Sequence, residues 1–143
     1  MRKLITLLAV ICLLINSLRA GDEGTLKLES VRFVSLPAGT YISVGITNLT
    51  GSPVKAFRAT LFMINDFDEA NKIVGMEFTG ATDIDVDSKS TSHHVIKPKE
   101  TIYYTFRVVG DRTVEEFWSD KATKFPISKG KFQLKVDKVA PDK

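Results

Sequence analysis

Beyond residue 24 the chain is a succession of short runs in which apolar and polar residues alternate, separated by turn residues. Successive strand side chains point to opposite faces, so strict alternation marks a strand with one buried face. Leu26 to Phe33, "LKLESVRF", alternates with a phase slip near Ser30 that fits a bulge. After a turn at Pro37-Ala38-Gly39, Tyr41 to Thr47 sets Ile42, Val44 and Ile46 on one face. Asn48 to Pro53 is a turn cluster, and Val54 to Ile64 reads as one long strand. Asn65 to Glu69 turns the chain into a strand at Lys72 to Phe78. Thr79 to Ser92, rich in Ser, Thr, Asp and Lys, reads as a long loop or weak edge strand. After a turn at Lys97 to Glu100, Ile102, Tyr104, Phe106 and Val108 share one face of a further strand. Phe132 to Val136 is the last strand, with Ala140 to Lys143 as a loose tail.

One segment reads differently. Thr113 and Glu116 have the spacing of a capping box, and Val114, Phe117 and Trp118 fall at i, i+3 and i+4. This predicts a short helix near 113–119, dependent on packing because so few residues cannot hold a helix alone. The long strand adds a second expectation. With Phe57, Ala59, Leu61 and Met63 turned inward, Phe62 and Ile64 face outward, and the short helix is a candidate cover for them. An apolar patch left open there would mark a partner site, so Phe62, Ile64, Phe117 and Trp118 are the partner-binding candidates.

The predicted fold is all-β: an immunoglobulin-like antiparallel β-sandwich of about seven strands with that one helix. A parallel α/β sheet would need crossover helices that the sequence does not offer. The expected core is Leu28, Val31, Phe33, Ile42, Val44, Ile46, Phe57, Leu61, Met63, Ile73, Phe78, Ile102, Tyr104, Phe106, Val108, Phe132, Leu134 and Val136.

Residues 1–20, "MRKLITLLAVICLLINSLRA", change the reading of composition. Arg2 and Lys3 precede an apolar run from Leu4 to Ile15, and Ala20 is a small residue before Gly21. That layout predicts a secretory signal peptide removed after Ala20, leaving residues 21–143 as one domain without a membrane span. The formal charge of +3 and pI near 9.0 then lose their weight. Arg2, Lys3 and Arg19 leave with the segment, so basic and acidic residues balance and no clustered basic footprint for nucleic acid remains. The only cysteine, Cys12, leaves too. A cysteine-free exported chain fits a bacterial periplasmic or secreted protein better than a disulfide-dense eukaryotic domain.

The stretches "ISVGITNLTGSPVKAFRATLFMINDFDEANKI" and "IKPKETIYYTF", within residues 41–108, resemble small immunoglobulin-like domains of exported bacterial proteins, including the FxLYD-type group. Ala56 to Leu61 and Phe62 to Asp66 carry the likeness. The chain departs from that group at Asn65, where Tyr is usual, and at Asp68, where a related turn has Gly. The resemblance implies the sandwich and no reaction, because sandwiches host many unrelated functions.

Candidate chemistry concentrates in "DIDVDSKSTSHH". Asp83, Asp85 and Asp87 match the start of a calcium loop, but Ser88 stands at the glycine position and His94 at the bidentate glutamate. His93 and His94 are adjacent, so in an extended segment they face opposite ways and do not converge on one ion. The stretch reads first as a solvated acidic loop or edge, and second as a low-affinity metal site. No Gly-x-Ser-x-Gly, phosphate-binding glycine loop or Cys/His pair occurs, and the imidazoles lack a triad's setting. Asn48-Leu49-Thr50 has the form of a glycosylation sequon; in a bacterial protein Asn48 is simply a turn residue, the preferred reading. The expectation is an exported, non-catalytic binding or structural module with a protein partner and no cofactor. The alternative is a periplasmic ligand- or metal-binding protein that uses residues 83–94.

Overall fold

In a computed structural model of the chain, residues 25–80, 95–110 and 112–143 are described. They form seven strands: β1 (Leu26–Leu36), β2 (Gly39–Asn48), β3 (Val54–Ile64), β4 (Ala70–Thr79), β5 (Thr101–Val109), β6 (Arg112–Ser119) and β7 (Lys131–Pro141). One sheet has the order β1-β2-β5-β6 and the other β4-β3-β7, with every pairing antiparallel. Among the described residues no helix is long and apolar enough to cross a membrane.

Local pattern explains most of this. Tyr104 and Phe106 pair with Val44 and Ile42, so the inward sets of β2 and β5 lie side by side. Phe57, Ala59 and Leu61 of β3 pair with Phe78, Met76 and Val74 of β4 and complete the opposing layer. The phase slip near Ser30 is a bulge, since the β1–β2 register shifts between Leu28 and Ser30 and thereby turns Val31 inward. Of the expected core, Phe33 and Met63 are 42% and 44% exposed although alternation keeps them on the inner side. Leu26, Val54, Val74, Met76 and Ile96 are buried in addition. The tail expected at Ala140 is the end of β7, where Ala140 pairs with Ala56 and Pro141 with Val54.

The predicted helix at 113–119 is absent, and strand β6 stands in its place. An isolated helix of this length is unstable, whereas the edge of β5 supplies a ready ladder for a β-branched and aromatic run. Trp118 pairs with Tyr104 and points inward, while its neighbour Phe117 faces out. The capping-box partners still meet, for another reason. Arg107 pairs with Glu115 but Val108 with Thr113, so Val114 is an extra residue that shifts the phase of the strand. Thr113 and Glu116 therefore share a side, and the Thr113 hydroxyl donates to the Glu116 carboxylate. Because β6 belongs to the other sheet, it gives Phe62 and Ile64 no cover; both are half-buried.

The connection from β6 to β7 runs across the outer face of the four-stranded sheet. Thr123 exchanges a hydrogen bond with Thr105 at 3.0 Å, and its carbonyl accepts from Arg32. Phe33 N–H donates to Pro126, and Ser128 N–H to Val31, which caps part of the outer edge of β1. This strap is why Ser43 and Thr105, polar residues on an outer face, are buried and bonded to each other.

In chain order, β1-β2-β5 matches the A-B-E strands of an immunoglobulin sheet. The constant-type arrangement pairs its fourth strand with the fifth and its sixth with the third. Here β4 joins β3, and β6 joins β5.

Candidate functional site

The hairpin turns β1–β2, β3–β4 and β5–β6 gather at one end of the sandwich. A cavity of about 360 Å³ there is lined by residues from β2, β4 and the β5–β6 hairpin, among them Ile42, Lys72, Ile73, Val108 and Arg112. The β1–β2 connection is two residues, Pro37 and Ala38, closed by a Leu36–Gly39 pair. Gly39 has φ +137°, and a Cβ there would lie 2.9 Å from Arg107 Nε, so both its backbone and the close arginine favour glycine.

The β3–β4 turn is held by one residue, Asn65, through its side chain and its main chain. Asn65 Oδ1 accepts from the N–H groups of Phe67 and Glu69 at 3.0 and 2.9 Å. Its Nδ2 donates to the Glu69 carboxylate at 2.9 Å. Asp68 N–H donates to the Asn65 carbonyl, with Asp68 at φ +59°, a region that Asp tolerates better than most residues. That explains why glycine suits this position in similar turns. On this turn Phe67 is 83% exposed. Leu36 and Val109 are exposed on the two neighbouring hairpins, and Phe33 and Met63 lie near the strand ends that lead there. Burial in a partner would recover apolar area now in water, roughly 25 cal/mol per Å².

The sequence-derived candidates are scattered. Asp83, Asp85, Asp87, His93 and His94 lie outside the described residues. Gly80 and Val95, which flank that stretch, sit at the opposite end of the sandwich, where Gly80 N–H donates to Lys55 and Ile96 pairs with Val54. Among the described residues no group of three metal-ligating side chains occurs. Phe117 is 52% exposed on the outer face of β6. Trp118 is half-buried: its ring packs on Phe57, Phe78 and Tyr104, and Nε1 donates to the Glu77 carbonyl at 3.0 Å. Phe67 was not among the candidates. The available signal was a large aromatic between Asp66 and Asp68, where a turn needs no apolar side chain.

One titratable group is strongly perturbed. Burial pushes the Tyr104 hydroxyl well above its ordinary value, and a hydrogen bond to Glu116, with that carboxylate's charge, pushes it the same way. A phenol held neutral beside an anion is a hydrogen-bond donor rather than a base.

Family models, curated proteins and solved structures were all searched with this chain, and none matches.

Proposed function

We propose that this chain is an exported, non-catalytic β-sandwich module of immunoglobulin-like type that binds a protein partner through its turn-bearing end. The observation that carries the reading is Phe67, 83% exposed on a turn held by five hydrogen bonds to or from Asn65. A fixed turn loses little further conformational freedom on binding, and large aromatics dominate interface energetics. The exposed side chains of Leu36 and Val109 extend the apolar surface on the neighbouring hairpins. Export is supported by the charge and apolar layout of residues 1–20, and the immunoglobulin-like assignment by the shared β1-β2-β5 order.

A photo-crosslinking residue placed at position 67 tests the surface, with one at Lys55, at the opposite end, as control. Protein adducts formed in the exported fraction from position 67 and not from position 55 are expected. Adducts from both positions, or from neither, overturn the reading. Mass spectrometry of the exported protein should find Gly21 as its first residue; a retained Met1 overturns cleavage after Ala20, and absence of the protein from the exported fraction overturns export.

A further inference from the structure

We infer that the outer face of the four-stranded sheet, with the strap that crosses it, rests on an anionic lipid bilayer. This surface is distinct from the turn-bearing end and does not depend on the partner proposed there.

The strand ladders align one row of outward side chains across the sheet. Phe117 of β6 pairs with Thr105 of β5, Thr105 with Ser43 of β2, and Ser43 with Arg32 of β1. Beyond β1 the row continues into the strap, where Ile127 pairs with Arg32. Directly paired residues project to the same side of a sheet, so Ile127 faces outward with Phe117. These apolar ends of the row, Ile127 and Phe117, are 64% and 52% exposed. Four strand spacings, about 19 Å, lie between them. Main-chain bonds on either side hold Ile127 in place: Pro126 O accepts from Phe33 N–H, and Ser128 N–H donates to Val31 O.

Around these two ends the face is basic. The strap carries Lys121, Lys124 and Lys129, all exposed, with no carboxylate between Lys121 and Gly130. Arg32 and Arg107 donate to the main-chain carbonyls of Thr123 and Ala38, and each buries its Nε without an acceptor. Among the described groups no carboxylate forms an ion pair with either guanidinium. Of the acidic residues on this side, Glu29 is paired with Lys27 at 3.2 Å, and Asp120 precedes the strap. The Glu115 side chain, opposite Arg107 in the ladder, lies outside the described residues. Basic and acidic residues balance beyond residue 20, so a basic face here leaves the rest of the molecule net acidic. That separation of charge turns this face toward a negative surface.

The spacing of the apolar groups selects the kind of surface. A peptide or nucleic-acid strand is held in a continuous groove or on an aromatic platform. Here the middle of the row is filled by Thr123 bonded to Thr105, which leaves two separate apolar points among cations. A bilayer is anionic at its headgroups and apolar a few ångströms below them. Ile127 and Phe117 enter that boundary while the long, strongly hydrated lysines stay among the headgroups.

Vesicle co-sedimentation tests this. Residues 1–20 would themselves enter a bilayer, so the assay uses the chain from Gly21, which keeps every described residue. Phosphatidylcholine vesicles with about 30% phosphatidylglycerol should bind it, pure phosphatidylcholine should not, and about 0.5 M NaCl should release it. Lys121→Glu with Lys124→Glu and Lys129→Glu should weaken binding at least tenfold. The same reversal at Lys72, Lys135 and Lys138, outside this face, should change it less than about threefold. Ile127→Ser with Phe117→Ser should weaken vesicle binding and leave any binding to soluble dextran sulfate unchanged. All these side chains are exposed, so melting temperatures should hold. Failure to bind anionic vesicles, equal binding to neutral ones, or equal effects of the two charge reversals overturns the bilayer as occupant. Vesicle binding indifferent to the loss of Ile127 and Phe117, with dextran sulfate bound through the same lysines, overturns it in favour of an anionic polymer.

Discussion

The side-chain amide of Asn48 donates to the main-chain carbonyl of Ile96 at 2.9 Å, joining residues 48 apart in sequence. The same nitrogen donates to the Ser52 carbonyl at 3.0 Å, and Oδ1 accepts from the Thr50 N–H and hydroxyl at 2.9 and 2.7 Å. Asn48 is 0% exposed. What reads as a glycosylation sequon is, in the folded chain, the polar knot that fastens the β2–β3 connection to the segment entering β5.

Asn48→Ala should destabilise the protein by about 2 kcal/mol, since Thr50 N–H loses its acceptor while the Ile96 and Ser52 carbonyls keep other donors. The melting temperature should fall by several degrees. Asn48→Asp should be worse than alanine, because a carboxylate oxygen replaces a donor that faces two carbonyls. Equal melting temperatures for the two variants would show that the amide donor is not what holds this junction. Folded protein offered to a glycosylating host should gain no glycan at Asn48.

Trp118 is the only tryptophan, so its emission reports one site. The Phe57, Phe78 and Tyr104 rings and the bond to Glu77 predict blue-shifted emission that moves red on unfolding. Trp118→Ala should cost about 3 kcal/mol, while Trp118→Phe should retain most of the packing and lose the bond across the two sheets. Native emission at the solvated limit would mean that β6 does not pack as described.

Tyr104 makes alkaline stability informative. Its folded-state value is raised above the ordinary 10.0, so its neutral form is favoured by folding. The contribution is full below pH 10 and declines above it, as the unfolded chain gives up a proton that the native state retains. Of the three tyrosines, Tyr104 should titrate only when the protein unfolds, read by phenolate absorbance. Glu116→Gln removes the anion but not the burial, so its Tyr104 should titrate at lower pH than in the wild type yet above 10. A wild-type Tyr104 that titrates reversibly near 10 in the folded protein defeats this account.

Gly45 lies under the Tyr103 ring: a Cβ would meet the ring at 2.9 Å and the Ser30 hydroxyl at 2.7 Å. The hydroxyl can rotate away, but the ring, lying across the sheet, has to move. Gly45→Ala should destabilise by about 1–3 kcal/mol. The same substitution in a Tyr103→Ala background should cost less, a coupling that a double-mutant cycle measures by thermal melting.

Alternation is local, and it carried the strands with it. Val54–Ile64 was readable from end to end, and the bulge near Ser30 showed itself as a broken phase. Whether the segment at 113–119 coils or extends was not local, because its capping-box spacing and its β-branched and aromatic content point opposite ways. The open edge of β5 settled it, and one extra residue in the ladder brought Thr113 and Glu116 together without a helix. Alternation also names the inner face but not where its cover ends, so Phe33 and Met63 were expected inside and are half in water. The candidate surface was legible only in part. The turn at Asn65–Glu69 was visible, but the degree to which Phe67 stands clear depends on how the chain packs around that turn. Asn48 shows the same division: its amide was written in the sequence as a turn residue, and its burial was decided by Ile96, which reaches it only when the sheets close.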